Sequence, residues 1–289
     1  MLGPMSLDGL LATSAADRTD PGAFDAALEL LSGRVAVLTG AGISTDSGIP
    51  DYRGDGSVRR TPMTIQQFVS GESFRQRYWA GSYVGWTRFA GAQPNPGHLA
   101  LADLEAAGRV NGVVTQNVDG LHGQAGSRHV VEVHGSVHRV TCLDCGQTFA
   151  RSSIAERIEA ANAWFVATAA AALNPDGDAE VGDVTEFVVP DCTVCGGVLK
   201  PDVVFFGEFV PSERFLEASA LVRGADALLV AGSSLAVNSG IRLLEQARRR
   251  KLPIVVVNRG ETKGDRIAAV KIDAGTSETL TALRDRLLS

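Results

Sequence analysis

Short runs of residues that are apolar on both faces alternate along this chain with stretches whose apolar positions recur at helical spacing. The runs occupy residues 35–38, 113–114, 130–133, 203–206, 227–230 and 254–257. Between them the spacing predicts helices over 24–31, 95–108, 118–126, 212–223, 240–251 and 276–288. The second of these opens on Asn95-Pro96 and stops at Gly108, with proline just inside the start and glycine just past the end. Strands buried on both faces belong in a sheet covered by helices on both sides. The pattern therefore predicts an α/β fold, a Rossmann-like, doubly wound, mostly parallel sheet.

Two stretches break the rhythm. Residues 52–92 are rich in glycine and aromatic residues and read mostly as helix, a helical insertion over 54–92. Residues 138–200 hold all four cysteines and a low-hydrophobicity loop that begins at Asn174. At about 150 residues per domain, 289 residues make two domains' worth of chain. The expected division is a loose tail over 1–20, a Rossmann-like nucleotide-binding domain from 21–137 and 201–289, and a small zinc-binding domain of 138–200 inserted into it.

Composition narrows the function. Hydrophobic residues are 45% and charged residues 21%, ordinary globular usage. The 27 basic and 33 acidic side chains leave a net charge of −6, without the basic excess of a phosphate-backbone binder, so no nucleic acid is expected as a partner. The longest apolar stretch, 164–173, is half a membrane span, and no membrane partner is expected. No basic residue precedes Arg18, unlike a secretory or mitochondrial leader, so a cytoplasmic protein is expected, and a monomer.

The clearest chemistry lies in the cysteines. Cys142-Leu-Asp-Cys145-Gly and Cys192-Thr-Val-Cys195-Gly are paired two-residue knuckles, each followed by a glycine that lets backbone amides turn toward the thiolates. In a reducing compartment, four thiolates around zinc are favoured over two disulfides or a redox dithiol. Four protein ligands leave no open position for water, so this zinc is expected to be structural.

Polar residues follow the predicted strands. Gly40-Ala41-Gly42 forms a turn where a phosphate could approach backbone N–H groups, although Thr45 stands where a dinucleotide fingerprint has its third glycine. Asp51, Tyr52 and Arg53 come just downstream, and Gly232-Ser233-Ser234 and Asn258-Arg259-Gly260 follow later strands. Gln116, Asn117 and Asp119 follow the 113–114 run, and His134-Gly135 follows 130–133. In a doubly wound sheet all these loops gather at the carboxyl ends of the strands, where ligands bind. An amide, a carboxylate and a histidine gathered there can hold ribose hydroxyls and supply a general base. His134 is read as that base; His98, His122, His129 and His138 are read as structural.

Taken together, the segments at 40–53, 115–122, 133–135, 200–208, 231–237 and 257–260 and the two cysteine pairs resemble the sirtuin family of NAD-dependent protein lysine deacylases. The resemblance spans 25–288. The stretches at 76–86 and 95–101, the loop from Asn174 and the long gap between cysteine pairs resemble its class II branch, the branch of mitochondrial sirtuin four of animals, in a bacterial version. It implies an NAD co-substrate, one structural zinc and acyl-lysine proteins as substrates. Gly40, Ala41, Gly42 and Arg53 would lie against the pyrophosphate, with Asp51 and Tyr52 beside them and Tyr52 shielding the nicotinamide. Gln116 and Asn117 would face the nicotinamide ribose and Asp119 the carboxamide. Gly232, Ser233, Ser234, Asn258, Arg259, Gly260 and Thr276 would hold the adenosine half. Val203, Phe205, Phe206, Gly207 and Glu208 would pair as a strand with the substrate backbone. His134 would be the base and, with Asn117, carry catalysis, releasing nicotinamide, free lysine and acyl-ADP-ribose. A protein mono-ADP-ribosyltransferase using the same NAD site is the alternative. The desuccinylase branch reads a substrate carboxylate with Tyr-x-x-Arg, whereas Tyr52, Tyr78 and Tyr83 are followed three places on by Asp55, Gly81 and Trp86. The class II resemblance implies larger acyl groups such as lipoyl or methylglutaryl at least as readily as acetyl, methylglutaryl with an arginine of the 59–88 region to meet its acid, and succinyl poorly.

Overall fold

The computed structural model describes residues 22–51, 62–165 and 181–289. The expected tail over 1–20, Tyr52, Arg53 and the loop from Asn174 lie outside the described residues. Strands β1 (Val35–Thr39), β2 (Val110–Thr115), β3 (Val130–Glu132), β7 (Ala227–Ala231), β8 (Ile254–Val257) and β9 (Val270–Ile272) form one sheet in the order β3-β2-β1-β7-β8-β9. All its pairings are parallel.

Alternation along β1 explains why its residues are apolar on both faces. Val35 and Val37 pack with α1 (Ala23–Leu30), α4 (Pro96–Ala106) and α9 (Thr276–Leu288), through Ala27, Leu101, Leu104 and Leu280. Ala36 and Leu38 point the other way, onto α7 (Ser212–Arg223) and α8 (Asn238–Arg249), through Ala218, Val222, Leu243 and Leu244. Burying each such leucine or valine is worth about 1.5–3 kcal/mol, and a polar residue on either face would forfeit it. Strand order runs outward from β1 through β2 to β3 on one side and from β7 through β8 to β9 on the other. The reversal opens a crevice at the carboxyl ends of β1 and β7.

A second, antiparallel sheet has the order β5-β4-β6, from β4 (Gly135–Cys142), β5 (Thr148–Ala150) and β6 (Leu199–Val203). Here the structure corrects the sequence reading of 203–206 as a strand of the parallel sheet. Val203 ends β6, and its partner is Gly135 of β4. The run is as apolar as a central strand, but Pro201 paired with Val140 is tolerated because β6 lies at a sheet edge. Helices α2 (Ile65–Ser70), α3 (Glu72–Phe89) and α6 (Arg151–Ala161) supply the helical part of this layer. Its core is Phe68, Trp79, Ile154, Ile158, Phe187 and Phe205. The helix expected over 118–126 shortens to α5 (Leu121–Gln124). Among the described residues, no helix is long and apolar enough to cross a membrane.

Candidate active site

Two strand-end turns meet at the crevice. The Gly42 amide donates to the Gly232 carbonyl at 2.8 Å. Gly232 adopts φ +64°, and a Cβ there would collide with the Ile43 amide. Gly42 is likewise held by this contact, since a Cβ on it would meet the Gly232 carbonyl at 2.9 Å. Part of what the sequence offers as a phosphate turn is therefore required by loop against loop. Thr276, at the start of α9, is buried and donates to the Gly42 carbonyl at 3.4 Å. Asn258 turns its amide onto the Arg259 carbonyl, and the Gly260 amide bonds Asp273 at 2.9 Å.

Beneath that turn lies a buried polar cluster. The Ser44 hydroxyl donates to Asp119 Oδ2 at 2.7 Å and accepts from Asn117 Nδ2 at 3.0 Å. Asp119 Oδ1 accepts the Leu121 amide, which begins α5. His98 Nε2 stands 3.5 Å from Ser44 Oγ, and His98 Nδ1 accepts the Asn95 amide at 3.3 Å in a capping box at the start of α4. Burial lowers the His98 pKa to about 4, against the pull of Asp119. His122 packs edge-on to His98, meets Thr39 at 2.9 Å, and is held well below the usual histidine range by burial and then by His98. Both rings are thus neutral walls of the cluster. His138 donates from Nε2 to the Asp119 carbonyl at 2.8 Å, and His129 is exposed.

His134 comes between β3 and β4. Gly135 adopts φ +80°, and a Cβ there would drive into the Asp202 carbonyl, so the turn after the histidine requires glycine. The His134 carbonyl accepts the Val204 amide at 2.8 Å, tying the ring's backbone to the end of β6. Its Nδ1 lies 2.9 Å from the Gln116 carbonyl, which can only accept, so Nδ1 carries the proton and Nε2 is the basic atom. Burial lowers the His134 pKa while the Gln116 bond opposes the shift. Nε2 accepts from Ser239 Oγ at 2.8 Å, and Ser233 Oγ donates to Gln116 Oε1 at 2.7 Å.

The segment after β6 is clipped from below. Lys200 Nζ, almost buried, donates to the Val203 carbonyl at 2.6 Å and pairs with Glu208 at 3.2 Å, over the Phe205 ring. Glu208 also accepts the Phe205 amide at 2.9 Å. Phe205 packs against Phe68 and Tyr78 at centroid distances of 5.1 and 4.8 Å, while Phe206 is partly exposed and bridges to Thr64. Gly207 turns the chain at φ +80°.

Four cysteine sulfurs lie within 4.8 Å of one another, with Cys142 and Cys195 3.5 Å apart and Cys145 and Cys192 3.8 Å apart. Four thiolates about 2.3 Å from a common zinc lie about 3.8 Å apart in a tetrahedron, so this set fits the ion with sulfur shifts of about 1 Å or less.

Sequence reasoning found Asn117, Asp119 and His134 but took Ser44 only as part of a motif and His98 as structural. Its signal was the asparagine before a proline-started helix, since Asn95 also donates to the Ile43 carbonyl and joins α4 to the glycine turn. Ser239 was missed because nothing in residues 236–240 marks a serine that reaches another strand's histidine.

Residues 40–239 match the model of the Sir2 family. The chain is 54% identical over 258 residues to NAD-dependent protein deacetylase 1 of Mycobacterium avium, covering 88% of this chain and 92% of that protein. It is 48% identical over 263 residues to the mitochondrial NAD-dependent protein lipoamidase sirtuin-4 of Bos taurus, covering 89% and 83%. Among solved structures, a Sir2 protein with a p53 peptide and NAD+ superposes with a TM-score of 0.76 at 31% identity, over 91% of this chain and 98% of that one.

Proposed function

Because the chain belongs to the Sir2 family, we infer that it is an NAD-dependent protein lysine deacylase, with acylated proteins as substrates and one structural zinc at Cys142, Cys145, Cys192 and Cys195. Transfer of ADP-ribose to a protein would use the same NAD residues and is not favoured, since the relatives carry deacetylase and lipoamidase names. The observation that carries the reading is His134. Its proton is fixed on Nδ1 by a backbone carbonyl and its basic Nε2 stands at the switch-point crevice.

The donors present suit a dinucleotide: hydroxyls, amides and backbone turns, with Asp119 as a buried carboxylate. When bound, NAD supplies an electrophilic ribose carbon as nicotinamide leaves. Gly40, Ala41 and Gly42 with Arg53 would hold the pyrophosphate, with Asp51 and Tyr52 beside them and Tyr52 shielding the nicotinamide, and Gly232, Ser233, Ser234, Asn258, Arg259, Gly260 and Thr276 would hold the adenosine half. Asp119, steadied by Ser44, receives the carboxamide. Asn117 and Gln116 orient the ribose, and His134 Nε2 takes a hydroxyl proton. Val203, Phe205, Phe206, Gly207 and Glu208 present the peptide-binding segment, and backbone pairing there accounts for acceptance of varied sequences. The division into a nucleotide-binding domain of 21–137 and 201–289 and a zinc domain of 138–200 fits this reading, with β6 straddling the boundary. A cytoplasmic site fits as well, because a reducing compartment keeps four thiolates available to zinc.

The test is His134→Ala. Deacylation should fall by about a hundred- to ten-thousandfold, the usual cost of a lost general base, with NAD affinity within a few fold. Full turnover would remove His134 from the reaction.

A further inference from the structure

Resting on the assignment of His134 as base, we propose that Ser239 is a positioning residue that holds His134 through a one-way chain of hydrogen bonds starting at the amide of Leu235. Each link is visible. The Leu235 amide, which can only donate, reaches Ser233 Oγ at 3.2 Å. Ser233 therefore turns its own proton onto Gln116 Oε1, at 2.7 Å. That fixes the Gln116 amide so that its Nε2 faces Ser239 Oγ, at 3.4 Å. Ser239, receiving that donor, sends its proton to His134 Nε2 at 2.8 Å. His134 closes the chain by donating from Nδ1 to the carbonyl of Gln116 itself, at 2.9 Å.

The ends of the chain give it direction. A backbone carbonyl cannot donate, so a neutral His134 keeps its proton on Nδ1, Ser239 donates to Nε2, Gln116 turns its Nε2 to Ser239, and Gln116 Oε1 is left to accept from Ser233. In that arrangement the Nε2 lone pair is engaged by a hydroxyl, which aims the ring and keeps the imidazole neutral in the ligand-free protein. Ser239 is almost buried in the first turn of α8, so the partner it offers His134 is fixed by packing. Beside it, a Cβ on Gly240 would stand 3.1 Å from Gln116 Nε2, tighter than ordinary contact, so a side chain there would press on the Gln116 amide.

The test separates Ser239 from the base it serves. Exchange of labelled nicotinamide into NAD reads cleavage of the glycosidic bond, ahead of the step that uses His134; deacylated peptide reads the whole reaction. Ser239→Ala should lower deacylated product about three- to tenfold, the worth of one net hydrogen bond, and leave exchange and both KM values unchanged. Ser239→Thr and Ser239→Val share one shape and differ in the hydroxyl, so Thr should exceed Val in deacylation by a similar factor and equal it in exchange. In the ligand-free protein, the His134 Nε2 nitrogen resonance should move to higher frequency in Ser239→Ala as its donor is lost. Equal Thr and Val, an equal fall in exchange and deacylation, or an unmoved resonance would overturn the role of Ser239. Undiminished turnover in His134→Ala would instead overturn the base.

Discussion

A histidine is a useful base only when one nitrogen is committed to holding its proton and the other is free to take one. In His134 the commitment is made by main chain, since Nδ1 faces the Gln116 carbonyl, and a side-chain substitution at 116 cannot remove it. Burial holds its pKa below the usual histidine value of about 6.5. The sign matters for activity: the neutral ring is the base, and a lowered pKa keeps it neutral further into acid. The acid limb of kcat/KM should therefore have its midpoint below pH 6.5, and a midpoint at 7 or above would contradict the burial argument. Gly135 was legible as the residue after a functional histidine, but its reason, the Asp202 carbonyl lying where a Cβ would go, requires the antiparallel pairing of β4 with β6. His98, read as structural, sits buried in the capping box at the start of α4; what a lone histidine after a helix-starting proline does not announce is that it also lines the Ser44–Asp119 cluster.

At the scale of elements, two small devices hold the second layer. The cysteine knuckles terminate β4 and precede β6, so a metal there joins strands distant in sequence. Zinc binding becomes folding free energy, and chelation should lower the melting temperature and abolish the signal of the antiparallel sheet. Cys142→Ala should lose stability first and activity as a consequence; metal-free protein that melts unchanged would contradict a structural zinc. The second device is Lys200 with Glu208. Lys200→Met would leave Glu208 without its cation and loosen the segment at 203–208. KM for an acyl-peptide should rise about ten- to a hundredfold, as expected for losing a hydrogen bond to a charged group, while KM for NAD changes less than twofold. Equal rises in both would place the clip elsewhere in catalysis. Five of the six parallel strands were legible because being apolar on both faces marks a covered sheet, while β9, three residues with Lys271 at its centre, was not; α7 and α9 appear over the residues their periodicity predicts. β4, β5 and α6 were not: β4 mixes Arg139, Thr141 and His138 among its apolar residues, and α6 carries little apolar asymmetry. The 203–206 run misled because buried loops and edge strands can be as apolar as central ones.

On the scale of the whole molecule, the two layers meet at the base. β3 and the loop after β2 bring His134, Gln116 and Asn117 from the parallel sheet, and the end of β6 brings the Val204 amide onto the His134 carbonyl from the other. On the proposed reading, a peptide held along 203–208 would thereby be registered against the residue that carries the base, through the Val204 amide on the His134 carbonyl. The segment proposed to receive the acyl group is apolar and aromatic, with Phe205 between Phe68 and Tyr78, and no Tyr-x-x-Arg pair occurs in the chain. A carboxylate entering that wall unpaired is costly. The most direct measurement is a panel of one peptide carrying acetyl, lipoyl, methylglutaryl or succinyl lysine, incubated with NAD and read by mass spectrometry. The account predicts free lysine peptide, nicotinamide and acyl-ADP-ribose in equal amounts, with acetyl or lipoyl well above succinyl and product falling about a hundredfold or more in His134→Ala. ADP-ribose appearing on protein with no deacylated peptide from any substrate would contradict it.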